Sequence, residues 1–407
     1  MNIAAVKEKL EKYGQEQLLR FYDELNEAER EELCAQIMEA DFDLLEGIKH
    51  LGNQERGVIS PIDSMELEEI DRRREEFEKI GLESIRKGEL MAVLLAGGMG
   101  TRLGADGPKG IYDIGITKPV YIFQRLIENL LEVVEKAEAW VPLCIMTSDK
   151  NHEITVSFLE QHNYFGYNGE YVYFFKQKTA PASDYQGKIY LEEKGKLSLS
   201  PNGSAGWYES MSECGLAAEL KAKGVKWANI FSVDNVLQRI ADPVFLGAVL
   251  EGGFVSGSKV VRKASRDERV GAMCLEDGRP SIIEYYEMTE ELKDAVNEKG
   301  DPAYNFGVIL NYLFRIDWLD KTVGNRLMLH VVEKKIPYIN EEGEHIKPEK
   351  PNGYKFEQLV LDMVHQMENN LPFEVRREYE FAPIKNRFGT DSVDSAREMC
   401  RAIGIEL

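Results

Sequence analysis

The sequence predicts an α/β fold: a mixed, mostly parallel sheet, doubly wound and flanked by helices, with a helical region at the N-terminus. Three observations carry this prediction. Short apolar runs recur at Met91 to Leu95, Val141 to Met146, Tyr171 to Phe175 and Asn229 to Val233. Helix-like segments, Val120 to Ala137 and His152 to His162, separate the first three runs. Residues 1–88 carry helical rather than alternating periodicity. Strands that alternate with helices require crossover connections, which place the strands in parallel with helices on both faces of the sheet.

Within the N-terminal region, Leu18, Phe21 and Leu25 recur at helical spacing, as do Leu33 and Ile37. Asn26 followed by Glu29 has the form of a capping box at a helix start. The stretch Glu66 to Lys79 is charge-dense and helical in pattern. The region reads as a packing or interface module with solvated charged faces. The texture changes at residue 89, where the first strand run begins. Residues 256–263 and 270–286 read as strands of a more mixed region, and Lys355 to Met367 reads as a helix. Pro348 to Gly353 reads as a loop, with Pro351-Asn352-Gly353 as its turn signal. The chain has no internal repeat and no low-complexity segment.

Composition narrows the function. The chain has 407 residues, 43% of them hydrophobic and 30% charged, which suits a globular protein of more than one compact unit. No apolar run is long enough to span a bilayer, and the stretch from Met1 to Lys7 lacks the apolar core of a signal peptide. Five cysteines form no Cys-x-x-Cys pair and their odd number suits no closed disulfide framework, so reduced thiols in the cytoplasm are expected. Six histidines do not cluster, which argues against a zinc site. The net charge of −21 repels nucleic acid and anionic membranes, so neither is an expected partner. An anionic substrate bound by such a protein needs a local basic pocket.

That pocket is foreshadowed by Leu95-Ala96-Gly97-Gly98-Met99-Gly100-Thr101-Arg102-Leu103-Gly104, followed by Pro108-Lys109-Gly110. The stretch starts where the first strand ends. Glycines let backbone amides approach an anion without a Cβ in the way, and Arg102 and Lys109 add fixed positive charge that can follow a triphosphate. The pattern is neither the dinucleotide fingerprint nor a P-loop, since no Gly-Lys-Ser/Thr follows. Gln177 and Asp234 sit just past two further strand runs. Alone, Gln177 reads as a surface amide and Asp234 as a turn or helix cap. Ligands of open parallel sheets bind outside the carboxyl ends of the strands, however, and all three features belong there.

With these motifs in place, the chain resembles the UDP-sugar pyrophosphorylase superfamily, closest to its UDP-N-acetylhexosamine branch. Gly14 to Phe21 is similar to that family's N-terminal helical segment, and Leu95 to Gly104 with Pro108-Lys109-Gly110 to its signature loop. Phe175-Lys176-Gln177, Pro201-Asn202-Gly203, Val233-Asp234-Asn235, Gly271, Ile283-Glu284-Tyr285, Asn305-Phe306-Gly307, Pro351 to Lys355 and Pro383-Ile384-Lys385-Asn386 follow in the family's order. The resemblance implies a Rossmann-like, GT-A-like nucleotidyltransferase fold, with a helical region over 1–88, a catalytic domain over 89–385 and a short C-terminal segment over 386–407. It implies that Leu95, Ala96, Gly97, Gly98, Gln177 and Gly203 bind the nucleotide, with the Gly97-Gly98 backbone and the Gln177 amide on the uracil. Arg102, Lys109 and Lys385 would be catalytic, on the phosphates. Gly271, Glu284, Asn305 and Lys355 would bind the sugar, and Asp234 would hold Mg²⁺.

The implied reaction joins UTP and a sugar 1-phosphate, with N-acetylglucosamine 1-phosphate as the expected sugar, and yields a UDP-sugar and pyrophosphate. Two departures bear on the sugar. The family reads Asn-Gly-Gly where this chain has Ser204-Ala205-Gly206, and Asn where it has Val308. Glucose 1-phosphate is therefore the alternative substrate. A non-catalytic nucleotide-sugar-binding protein and a glycosyltransferase are the alternatives of other classes. Retention of Arg102, Lys109, Asp234 and Lys385 argues against the first. The second typically needs a paired acidic metal motif after a strand, where this chain has only Asp234-Asn235; Asp41-Phe42-Asp43 lies in the helical region. Longer relatives carry a further C-terminal domain tied to oligomerisation, and the oligomeric state is left open.

Overall fold

The computed structural model describes residues 3–50, 56–325 and 327–407, so the first two residues and residues 51–55 of the expected helical region lie outside it. The chain forms two compact units. One comprises Met1–Glu55, Lys178–Gly206 and Arg326–Val360; the other comprises Arg56–Gln177, Trp207–Asn325 and Leu361–Leu407.

The larger unit is built on one mixed sheet. In chain order it contains α1 (Leu67–Arg86), β1 (Leu90–Leu95), α2 (Ile122–Ala137), β2 (Leu143–Thr147), α3 (His152–Gln161), β3 (Val172–Lys176), β4 (Trp227–Ser232) and α4 (Pro243–Glu251). It continues with β5 (Ser256–Arg262), β6 (Ala272–Glu276), β7 (Arg279–Ile283), β8 (Phe306–Arg315), β9 (Leu371–Glu374) and α5 (Val393–Ala402). Strands β4, β1, β2 and β3 lie side by side in parallel, with Phe231 beside Leu94, Leu94 beside Ile145 and Ile145 beside Phe174. All six residues of β1 are buried, as a central parallel strand covered on both faces requires. Helix α2 supplies part of that cover through a stripe of Ile122, Phe123, Leu126, Ile127, Leu130 and Val134. Beyond β4 the sheet becomes mixed: β8 pairs antiparallel with β4, β5 and the first residue of β6, and β9 pairs with β5 in parallel. The β6–β7 hairpin turns at Asp277 and Gly278, both at positive φ, the backbone that a two-residue hairpin loop demands.

The unit boundaries do not follow the 1–88, 89–385 and 386–407 division, and the packing explains why. Helix α1 packs on α4, where a Cβ on Gly81 would lie 1.9 Å from the Pro243 carbonyl oxygen, so it belongs to the sheet unit. The short strand Ile59–Ser60 likewise pairs with β6.

In the smaller unit, helices Ile3–Tyr13 and Glu27–Glu39 bury Val6, Leu10, Leu33 and Ile37 in one core with Ile189, Leu191, Leu197 and Ile339. The N-terminal helices thus find their apolar partners far along the chain. The capping box forms as expected, Glu29 N–H donating to Asn26 Oδ1 and Asn26 N–H to Glu29 Oε2. Leu18, Phe21 and Leu25 are buried, but no α-helix carries them: Leu18 lies on the 3₁₀ turn Glu16–Leu19, and Phe21 and Leu25 flank a second, Tyr22–Glu24. The i, i+3 step from Leu18 to Phe21 suits either kind of helix.

The helix expected over Lys355 to Met367 is a correction. Gly353–Glu357 is a strand, antiparallel to His330–Lys334 and to Ser183–Asp184, and only Asp362–His365 is helical. Pairing on both edges overrides a helical spacing of apolar residues that spans two separate elements. Among the described residues the five cysteines are free, four of them buried, and no helix is long and apolar enough to cross a membrane.

Candidate functional site

The chain after β1 closes on itself as a compact loop. Ala96 N–H donates to Met146 O, which continues the sheet by one residue. Gly100 N–H then donates to Gly107 O at 2.7 Å and Lys109 N–H to Gly98 O at 3.2 Å. Asn151, fully buried at the start of α3, holds the loop's base by donating from Nδ2 to Ala96 O at 2.9 Å. Gln177 extends β3, its N–H bonded to Thr147 O. A Cβ on Gly97 would fall 2.6–2.7 Å from the Gln177 amide. The side-chain amide therefore rests directly on the Gly97 backbone, which only glycine allows. At Gly98 a Cβ would meet nothing within 4 Å. Two strand ends thus present one edge made of backbone amide and side-chain amide.

On the other side of β1, β4 ends at Ser232 and the chain turns through Asp234. Lys109 is buried, and its Nζ donates to Asp234 Oδ1 at 2.5 Å. Burial pushes the Lys109 ammonium below the usual lysine range, the Asp234 carboxylate opposes that shift, and the Arg102 and Lys385 cations add to it. Lys109, Arg102 and Lys385 thus feel one another's charge near the Asp234 carboxylate. Lys385 is delivered by a late segment that runs beside Asp234: Ile384 N–H donates to Asp234 O at 2.8 Å. Its ammonium is half-exposed and pairs with Asp391 at 3.1 Å. Arg102 is exposed on the 3₁₀ turn Thr101–Leu103.

The expected sugar residues of this unit sit at the ends of β6, β7 and β8, with Gly271 just before β6, Glu284 just after β7 and Asn305 just before β8. Val308 N–H donates to Gly271 O at 2.9 Å. A Cβ on Gly271 would lie 3.6 Å from the Glu284 carboxyl group. Asn305 precedes β8, its carbonyl accepting from Lys263 N–H. Gly203 and Lys355 belong to the smaller unit. There Gly203 takes φ +96, and a Cβ would come within 2.2 Å of the Gln358 carbonyl oxygen. Lys355 sits three residues earlier on the strand Gly353–Glu357.

Sequence reasoning missed three residues of this site. Asn151 and Asn235 look like turn residues but are buried ties between segments. Arg387 brings Nη1 to 3.4 Å of where a Cβ on Gly104 would sit; its only signal was its place just after Lys385. Among the described residues no three His, Cys, Asp or Glu side chains cluster as a metal cage. The Asp234 carboxylate stays about a third exposed, with one oxygen on Lys109. A cation that takes one protein carboxylate and completes its shell with phosphate and water fits such a donor, as Mg²⁺ does.

A family model described as UTP–glucose-1-phosphate uridylyltransferase matches residues 49–391. A UDP-N-acetylglucosamine pyrophosphorylase of Saccharomyces cerevisiae is 35% identical, over 94% of this chain and 86% of its own. UDP-N-acetylhexosamine pyrophosphorylase-like protein 1 of Mus musculus is 34% identical, over 94% and 80%. The crystal structure of uridine diphosphate N-acetylglucosamine pyrophosphorylase from Trypanosoma brucei, in complex with inhibitor, matches with a TM-score of 0.85 at 25% identity, covering 99% of this chain and 85% of that one.

Proposed function

Because the chain belongs to the UTP–glucose-1-phosphate uridylyltransferase family, we infer that it joins the uridylyl group of UTP to a sugar 1-phosphate and releases pyrophosphate. N-acetylglucosamine 1-phosphate is the sugar substrate this reading favours, in line with the names of its relatives. The observation that carries the reaction is the meeting of Lys109 and Asp234 past the ends of β1 and β4, with Arg102 and Lys385 beside them.

An oxygen of the sugar phosphate attacks the α-phosphorus of UTP, and the bond to the pyrophosphate oxygen breaks. Both reactants are anions, so the protein's task is to hold them together and to offset their charge as it shifts. The Gly97–Gly98 backbone and the Gln177 amide hold the uracil edge. Lys109 and Lys385 flank the phosphates between which the uridylyl group passes, and Arg102 stabilises the departing pyrophosphate. Asp234 orients the Lys109 ammonium, and its carboxylate would hold Mg²⁺. Mg²⁺, when bound there, supplies positive charge to the phosphate oxygens. Glu284, beside Gly271, accepts from sugar hydroxyls. No side-chain nucleophile is needed. A cytoplasmic setting accords with the free cysteines.

Pyrophosphate release from UTP with a panel of sugar 1-phosphates tests this reading. Turnover with N-acetylglucosamine 1-phosphate is expected, and silence with every sugar defeats it. Glucose 1-phosphate is the second reading, favoured by Val308.

A further inference from the structure

Lys259 on β5 is fully buried. Its Nζ donates to Asp242 at 2.8 Å, to Glu380 at 2.6 Å and to the Arg239 carbonyl at 3.2 Å. A buried ammonium with two carboxylates is costly, and well-packed apolar residues often serve stability as well or better. The arrangement is best explained by what it ties together. Asp242 caps α4 by accepting from Val244 N–H. Glu380 ends the short helix Arg377–Glu380, just before the segment that carries Lys385.

From Glu380 the tie continues toward the site. Its carbonyl accepts from Asn235 Nδ2 at 2.6 Å, and Asn235, 2% exposed, accepts from Ala382 N–H at 2.9 Å through Oδ1. Asn235 is the residue after Asp234. One step further, Ile384 N–H meets the Asp234 carbonyl. The segment 380–385 is thereby held against the end of β4 by side chain at one end and backbone at the other. The Lys385 side chain itself is half-exposed and gains little from packing; its position depends on this backbone and on Asp391, which accepts from both the ammonium and the Lys385 N–H.

We propose that Lys259, Glu380 and Asn235 form a positioning clamp that holds residues 382–385 in register beside Asp234, so that Lys385 reaches the reacting phosphates. The kinetic part rests on the role given to Lys385 above. All three are buried, which fits positioning rather than contact with substrate.

Asn235→Ala is expected to lower kcat by about 10- to 100-fold, the scale of a misplacement near 1 Å, with the KM for UTP nearly unchanged. In a Lys385→Ala background the same substitution should cost nothing more, because the clamp then has nothing to position. Hydrogen exchange reads the clamp without any reaction: amides of 380–386 should exchange about tenfold faster or more in Asn235→Ala, while those of 97–111 keep their protection. Glu380→Gln keeps the shape and still offers Lys259 an acceptor; it should show both signs at smaller size, and it stands in if Asn235→Ala does not fold. Unchanged exchange over 380–386 overturns the clamp, even if the protein transfers no uridylyl group and the functional reading has failed by itself. A loss in Asn235→Ala that multiplies onto that of Lys385→Ala overturns it too, as does a Lys385→Ala enzyme that runs at the wild-type rate.

Discussion

Lys109 donates to Asp234 over 2.5 Å, an ion pair between residues 125 positions apart in the chain. It joins the loop after β1 to the end of β4, two strands that lie side by side in parallel. The pair sets the charge of the site: one carboxylate restrains a buried ammonium that two further cations would otherwise disfavour. Replacing Lys109 with Met should therefore separate stability from function. Activity should fall by roughly a hundredfold or more, the scale of a lost transition-state partner. Stability should hold or rise, since the buried charge is gone and Asp234 keeps access to water. A melt by circular dichroism beside a pyrophosphate assay checks both. Near-wild-type turnover would show that Lys109 meets no reacting phosphate.

The same burial predicts a pH dependence. Folded Lys109 loses its proton below the usual lysine range, and the unfolded chain keeps it to higher pH. Between those two values the unfolded state binds more protons, so the contribution of this group to stability rises with pH across that window. Activity should move the other way, because the proposed reaction uses the ammonium form. The alkaline limb of kcat/KM, which reports the free enzyme, should lie below the ordinary lysine value and disappear in Lys109→Met. The limb in kcat should lie higher, because bound triphosphate favours the charged form. Coincident limbs would assign the titration to another group.

Asp234→Asn tests the metal. The substitution keeps the shape and removes the charge that a hard cation prefers. Turnover should collapse and return only partly at high Mg²⁺. Wild-type activity that survives EDTA would remove the metal role from Asp234.

At Gly97 the expected effect is steric. A Cβ there falls 2.6 Å from Gln177 Nε2, so Gly97→Ala must displace the amide that can both donate to and accept from the uracil edge. The KM for UTP should rise by about tenfold or more, and the preference for UTP over CTP and ATP should narrow. Gln177→Ala should behave alike. An unchanged preference in both variants would place base recognition elsewhere.

How much of this was legible in the sequence depends on range. The strand β1, the glycine loop and Asp234 after β4 stand out because each is a local pattern, and the parallel order of the strands then brings their ends together. The membership implied by the motifs is borne out by the family match. Asn151 and Asn235 were not legible, because an asparagine bonded across 55 or 147 residues looks like any turn asparagine. The strand Gly353–Glu357 was misread because its partners, His330–Lys334 and Ser183–Asp184, are set by tertiary pairing. The core that unites Leu10 with Leu191 and Ile339 was hidden for the same reason.

The sugar preference turns on Val308. Its N–H is committed to Gly271 O, and Gly271 lies against Glu284, so β6, β7 and β8 converge where the resemblance places the sugar. The resemblance implies an asparagine at this position, whose amide would pair with a polar group of the hexosamine. Valine can neither donate nor accept. A polar group that loses its partner there costs about 1–3 kcal/mol, or roughly 5- to 150-fold in relative rate. N-acetylglucosamine 1-phosphate keeps its apolar acetamido methyl, which can still pack against the valine. Its advantage over glucose 1-phosphate should therefore be reduced rather than reversed. Val308→Asn should raise the ratio of kcat/KM for the two sugars by about 5- to 150-fold, chiefly by improving the hexosamine, with the KM for UTP unmoved. A ratio that does not change on substitution, or a wild-type preference already above about a thousandfold, more than one small contact usually supplies, would take the choice of sugar away from Val308.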